Sequence, residues 1–410
     1  MSRALHAGEF RAHGGVVVAS LVGIAAGLAP LATTYTIGVL LPPLGAEFGW
    51  TRAEVLSVTV FMLVALVPAA YTVGWLVDRF GVRRVVLPSQ LGLGACFAAL
   101  GFFLDGLPTL YLLYVLMALA GAGTLPVTFA KSVTAHFARN RGLALGLALS
   151  GTGLAGFLVP IYTGWLVAEW GWRGAYFGLA ALPVCIALPV SAWLLEDPPR
   201  TAGDQAPGSM PTAAAVQPGH TGGLTFAEAL RSYRFWVMAC CFFGVSGAVT
   251  GIVTNLVPLL QDRGFEPMRA VELVSLVGLS VIAGRLAVGF LVDRWWGPAV
   301  GALFLLPAAA AAVMLALGGI GTAGTAALIV IVGLAVGAEI DLNAYLASRY
   351  FGLRAYGRIY GLQYLLLVTG AALATPAFGW VHDRTGSYDP ALSAAAAALA
   401  AGGLGWPVLG

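Results

Sequence analysis

Charge is what this chain has least of. Of its 410 residues only 10% are charged, against about 25% in an average soluble domain. Lys131 is its single lysine. The formal net charge of +3 is too small for the basic surface that a nucleic-acid partner requires. The four cysteines, Cys96, Cys185, Cys240 and Cys241, all lie inside apolar runs. They read as buried packing residues, not as a disulfide framework or a metal site. No nucleophile–base pair, metal-ligand spacing or phosphate loop is present. The glycines at 146, 151, 153 and 156 follow no strand and read as a surface for close helix packing. An enzyme, a cofactor and a resident metal are therefore not expected.

What the chain does have is apolar length. Hydrophobic residues make up 59% of it, and the mean hydropathy is +0.89. A membrane-spanning helix needs roughly 20 apolar residues. Twelve stretches qualify: 16–42, 53–77, 85–104, 110–134, 142–167, 174–195, 235–260, 271–292, 298–318, 324–347, 358–381 and 390–409. Continuous runs of this kind predict helices and not the alternating segments of a β-barrel. The expected fold is an all-α polytopic membrane protein of twelve transmembrane helices. The first run is too long for the core of a cleavable signal. Fourteen arginines fall at loops on the side of the N-terminus and five on the other. That bias predicts a multi-pass protein of the inner (plasma) membrane with both termini cytoplasmic.

An internal repeat organises the chain. Gly74-Trp-Leu-Val-Asp78-Arg79 recurs as Gly289-Phe-Leu-Val-Asp293-Arg294, and Gly49-Trp50 recurs as Gly264-Phe265, each shifted by 215. Gly146 maps onto Gly361 and Gly171 onto Gly386 at the same offset. Two pseudo-symmetric six-helix halves follow, 1–195 and 233–410, joined by a Pro- and Gly-rich cytoplasmic linker at 196–232. Thr225-Phe-Ala-Glu228 is a capping-box pattern and predicts a short surface helix over about 225–232. Parallel halves of this kind place a substrate site between them, near the bilayer midplane.

The motif Gly74-x-x-x-Asp78-Arg79-x-Gly81-x-Arg83-Arg84 resembles the loop motif of the major facilitator superfamily. Gly74 is expected to let another helix approach, and Asp78 to cap or pair at a helix end. Phe137-Ala-Arg-Asn-Arg-Gly142-Leu-Ala-Leu-Gly146-Leu-Ala-Leu-Ser150-Gly151 is similar to the signature of monocarboxylate porters. Phe48-Gly-Trp-Thr-Arg-Ala-Glu54 and Arg349-Tyr-Phe-Gly-Leu-Arg354 agree with bacterial members and with oxalate/formate exchangers. The resemblance implies a secondary transporter working by alternating access on a small organic monocarboxylate. Its partners are then the acid, the lipid bilayer and either a symported proton or a counter-anion. Three departures bear on mechanism. The first stretch holds no lysine, Val281 stands where animal members carry an aspartate, and the eleventh stretch has no lysine, unlike the oxalate exchangers.

A charge near a helix centre costs roughly 2.5–3.5 kcal/mol on insertion scales, so each needs a reason. Arg285 is the expected anchor for the substrate carboxylate, because a guanidinium grips an anion at two points. Glu339 and Asp341 are two apart and point about 200° away from each other. Glu339 shares a face with Asn343, and Asp341 shares one with Tyr345. The first face is expected toward substrate with Glu339 as proton carrier; Asp341 either takes that role or is fixed by a partner. Tyr35, Thr34, Tyr71, Asn255 and Gln363 are further candidate substrate contacts. Asp78, Arg79, Asp293 and Arg294 are candidate gating residues. Lys131 either snorkels to the cytoplasmic surface or joins an inner gate.

Overall fold

Long apolar runs leave the backbone one way to satisfy its N–H and C=O groups in lipid, and the chain is helical almost throughout. The computed structural model of the protein describes residues 7–137, 141–197, 224–292, 294–352 and 355–405. The side chains of residues 7, 8, 70, 71, 78, 141, 142, 356 and 357 lie outside that description. Among the described residues there is no strand.

Among the described residues, ten helical stretches are long and apolar enough to cross a membrane. In chain order they give α1 (Glu9–Thr34), α2 (Arg52–Val77), α3 (Val82–Phe103) and α4 (Leu107–His136). The fifth, Leu143–Leu194, is 52 residues long and holds two helices in series. Gly171, with φ 69° and ψ −176°, breaks it into α5 (143–170) and α6 (172–194). A φ of that sign strains any residue with a Cβ, so glycine is required at the turn. Then follow α7 (Tyr233–Asp262), α8 (Pro267–Val292), α9 (Gly297–Leu317), α10 (Thr322–Phe351) and α11 (Arg358–Thr385). The last helix, α12, is Asp389–Gly405, 17 residues long. All twelve expected spans are thereby accounted for. Short helices fill some of the intervals. Ile37–Phe48 follows α1, whose last residues, Pro30–Thr34, form a π-helical turn. Phe226–Arg231 is capped by Thr225 and Glu228 in the expected reciprocal box.

The repeat offset reappears in the backbone. Gly49 and Gly264 have φ of 70° and 84°, and Gly171 and Gly386 have φ of 69° and 72°. Corresponding turns in the two repeats therefore use the same left-handed residue to leave a helix.

By contact the chain forms two compact units. The first comprises Met1–Thr36, Phe61–Ala155 and Trp165–Ala215. The second comprises Ile37–Val60, Gly156–Gly164 and Val216–Gly410. Within the first, Val16, Ile24, Phe129, Val133, Phe137 and Leu195 share one core. Within the second, α7 packs along α11 and α8 along α10. Segment 37–60 counts with the second unit for a steric reason. Gly38 lies so close to the Thr254 carbonyl that a Cβ there would collide with it.

Two expectations are corrected. The cysteines are not buried: Cys185 and Cys240 are exposed, and Cys96 and Cys241 are half-buried. Apolar helix faces toward lipid suit a thiol as well as a core does, so an apolar run alone cannot tell the two apart. Gly74 has open space where a Cβ would stand, so among the described residues no helix approaches closely there; its counterpart Gly289 is likewise open. Close approaches of backbone fall elsewhere, among them Gly284, Gly333 and Gly337 between α8 and α10, and Gly370 between α11 and α7.

Candidate functional site

The packing of α8 on α10 is what builds the charged cluster. At Gly337 a Cβ would collide with the Val281 carbonyl, and at Gly284 with the Leu334 carbonyl, so the two backbones touch. That contact brings Arg285 within electrostatic range of both Glu339 and Asp341, and of Tyr364 on α11. Ser246 on α7 lies close enough to the Glu339 carboxylate to interact with it. Glu339 is 5% exposed and Asn343 fully buried, whereas Asp341 and Tyr345 are half-buried.

The cluster holds more polar capacity than the protein fills. Nε of Arg285, Oε2 of Glu339, both amide atoms of Asn343 and Oε1 of Gln363 are buried without a hydrogen-bond partner. A buried unpartnered polar atom costs roughly 1–3 kcal/mol. These atoms on α8, α10 and α11 are open to hydrogen bonds from a polar ligand or from water.

The other expected contacts divide. Gln363 donates to the Phe235 carbonyl at 2.9 Å, which ties α11 to α7 and commits its Nε2. Asn255 gives its amide N–H groups to the carbonyls of Gly251 at 2.9 Å and Thr375 at 3.4 Å, and its Oδ1 accepts from Tyr388 at 3.2 Å. Its side chain is engaged in helix packing. Thr34 returns its hydroxyl to the Ala29 carbonyl at 3.1 Å, and Tyr35 is buried. Both belong to the first unit. Asp293 lies outside the described residues, as do the side chains of Tyr71 and Asp78. Arg79 and Arg294 are exposed; Arg294 lies 3.6 Å over the Phe290 ring and donates to the Phe290 carbonyl. Lys131 is half-buried at the last turns of α4.

Sequence reasoning missed two groups. The first anchors the loop motif. The Arg83 backbone N–H donates to Oδ1 of Asp197 at 2.9 Å, and its guanidinium donates to the Ala192 carbonyl. Gly81, at φ 93°, has no room for a Cβ against the Asp197 carboxylate. The motif therefore grips the end of α6 through Asp197, a residue no pattern singled out.

The second group joins the start of α2 to the ends of α7 and α11. Arg52 makes a two-point ion pair with Asp262, at 2.6 and 2.7 Å, and donates to the Tyr388 hydroxyl at 2.9 Å. Nε2 of His382 lies 3.2 Å from the same Asp262 carboxylate. Asp383 accepts from the backbone N–H groups of Arg52 and Ala53 at 3.2 and 2.9 Å, and so caps the short helix Arg52–Leu56. Gly379 lets α11 come this close, since a Cβ there would meet the Ala53 nitrogen at 2.8 Å. Burial pushes the Tyr388 phenol up to about 12 despite the pull of Arg52, so it stays a neutral donor. A cleft of about 480 Å³ beside this network, lined by Asp262, Arg263, Tyr388 and Asp389, includes none of the Arg285 cluster.

Comparison with known proteins places this architecture. The family model described as the Major Facilitator Superfamily matches residues 22–375. Monocarboxylate transporter 13 of Bos taurus is 31% identical over 337 residues, covering 79% of this chain and 72% of the relative. The gallate transporter of Pseudomonas putida is 28% identical over 384 residues, covering 82% and 81%. A bacterial homolog of the human lysosomal transporter Spinster, solved in an inward-facing and occupied conformation, superposes with a TM-score of 0.65 at 15% identity. That superposition covers 96% of this chain and 94% of the other, and at such identity it speaks for the fold alone. With its twelve apolar helices, its repeated loop motif and a family match over most of its length, the chain belongs to the Major Facilitator Superfamily, whose members are membrane transporters and not enzymes.

Proposed function

We propose that the chain carries a small organic monocarboxylate across the membrane by alternating access, with a symported proton. Its main support is the cluster of Arg285, Glu339 and Asp341, set among buried polar atoms that lack partners. A carboxylate presents two acceptor oxygens in one plane, which is the complement of a guanidinium fork. The relatives agree in kind. One is named for monocarboxylates and another for gallate, which bears a single carboxyl group.

In this reading Arg285 holds the substrate carboxylate, and Asn343 and Gln363 supply further bonds. In the empty site Arg285 faces both Glu339 and Asp341 and serves as the counter-charge of Glu339. Substrate taking over Arg285 leaves Glu339 without its counter-charge, and a proton neutralises it. Binding of acid and proton are then linked, and each raises the other's affinity by the same factor. Halves 1–195 and 233–410 alternate around the site, joined by 196–232. Asp78, Arg79, Asp293, Arg294 and Lys131 are assigned to the gate on the arginine-rich side, which the charge bias makes cytoplasmic, with the protein in the plasma membrane. Arg52, Asp262 and Tyr388 are assigned to the opposite gate.

The test is uptake of labelled acids into proteoliposomes. Aliphatic and aromatic monocarboxylates, a dicarboxylate and a neutral amide are compared, with and without an inward proton gradient. Accumulation of monocarboxylates only, driven by the gradient, is expected. Equal uptake of the amide would remove the Arg285 anchor. Uptake that needs preloaded anion and ignores the gradient would replace symport with exchange.

A further inference from the structure

The transport reading leaves three groups of the first unit unused. His13 lies on α1, His136 is the last residue of α4, and Glu196 lies two residues beyond α6. Nδ1 of His13 and Nε2 of His136 each lie 3.9 Å from Oε2 of Glu196. The two imidazole rings are 5.0 Å apart, and one ligand atom from each of the three residues falls within 4.8 Å of the others.

The direction of the hydrogen bonds matters more than the distances. Nδ1 of His136 lies 2.9 Å from the Ser132 carbonyl oxygen. A carbonyl only accepts, so Nδ1 carries the proton, which leaves Nε2, on the side of Glu196, as the ring nitrogen that can present a lone pair to a metal. Nδ1 of His13 is buried and has no hydrogen-bond partner. With His13 as its Nε2–H tautomer, two imidazole lone pairs and a carboxylate oxygen converge, and a cation between them would complete their bonding.

We propose that His13, His136 and Glu196 bind a divalent transition-metal ion of the zinc class, with water completing the shell. Two imidazoles and one carboxylate suit zinc, cobalt or nickel, whereas magnesium and calcium require oxygen ligands. A His136 N–H held by a backbone carbonyl is the outer-shell bond that orients metal-ligating histidines. Bonds of about 2.0–2.2 Å in a tetrahedron put ligand atoms roughly 3.3 Å apart, so the group must contract slightly. Glu196 has a side chain 60% exposed and can swing inward, while His136, at 7%, is held in place. The ion would tie the start of α1 to the ends of α4 and α6. It would brace the first unit from within, apart from the transport cluster, and stabilise it by mass action.

The experiment uses the full chain purified without a histidine tag, with Cys96, Cys185, Cys240 and Cys241 replaced by serine so that no thiol competes. After chelator treatment it is titrated with Zn²⁺, Co²⁺, Mg²⁺ and Ca²⁺. Bound metal per chain, Tm and the visible absorption of the Co²⁺ form are read. One Zn²⁺ per chain and a raised Tm are expected, with no effect of Mg²⁺ or Ca²⁺. His136→Gln and Glu196→Gln should each weaken Zn²⁺ binding at least about tenfold. Glu196 is exposed, so its variant reports on binding even if the histidine variant folds poorly. Equal Zn²⁺ binding in wild type and Glu196→Gln would overturn the proposal. So would a Tm that responds to pH but not to Zn²⁺, since a proton shared with Glu196 would then be the missing cation.

Discussion

Arg285 shows what a single residue can and cannot declare. In an apolar helix a guanidinium needs a counter-charge, and Glu339 and Asp341 supply it here. Its Nε remains buried and without a partner. Arg285→Lys keeps the charge and removes the planar fork. Hydrogen bonds to charged groups contribute about 1.5–3 kcal/mol, so the affinity for substrate should fall roughly tenfold to a hundredfold. Equilibrium binding of labelled acid to purified protein checks this, and wild-type affinity in the lysine variant would remove Arg285 as anchor. Arg285, Glu339 and Asp341 were legible in the sequence because charge stands out in an apolar run. Ser246, which touches Glu339, was not, because one serine among many carries no signal. Asp262, Asp383 and Tyr388 were hidden for the opposite reason. They sit where helices end, where polar residues are ordinary, and only the folded chain brings them to Arg52.

At the scale of the helix, glycine position decides which pairs meet. The sequence marked Gly74 through its motif as a place of close approach, yet it faces open space, as its counterpart Gly289 does. Gly337 belongs to no motif and holds α10 against the backbone of α8. Gly337→Ala should cost about 1–3 kcal/mol through overpacking and push Arg285 away from Glu339. A lowered Tm together with lost uptake is the expected result. Gly289→Ala should leave Tm unchanged or slightly raised, because alanine favours the helix. Equal effects of the two substitutions would contradict the packing argument. The Arg52–Asp262 pair is a second test at this scale. Its side chains are 21% and 36% exposed, so solvent screens it. Asp262→Asn is therefore expected to weaken the closed state of the proposed gate at Arg52, Asp262 and Tyr388 by only about 1 kcal/mol, roughly fivefold in population. With a cysteine placed at the buried Thr254 of a chain otherwise free of cysteine, alkylation should speed up by about that factor. An unchanged rate would show that the pair does not hold that gate.

For the whole molecule, the shared offset of 215 was the most informative feature of the sequence, and paired left-handed glycines repeat it in the backbone. A repeat fixes the number and direction of helices, because each copy must span in the same sense. It says nothing of coupling, which depends on where a few charges come together. No lysine lies in α1 and no acid stands at Val281, so the proposed symport needs another proton carrier. Glu339 is buried beside Arg285 and retains an unpartnered oxygen. If substrate and Glu339 compete for Arg285, Glu339→Gln should separate transport from its driving force. The glutamine keeps the shape and the Ser246 contact but cannot take up or release the proton. In proteoliposomes the variant should still exchange labelled for unlabelled acid, while accumulation driven by a proton gradient is lost. Asp341→Asn, tested in parallel, should accumulate as the wild type does. The reverse pattern would transfer the proton to Asp341, and retained accumulation in both variants would remove the α10 carboxylates from coupling altogether.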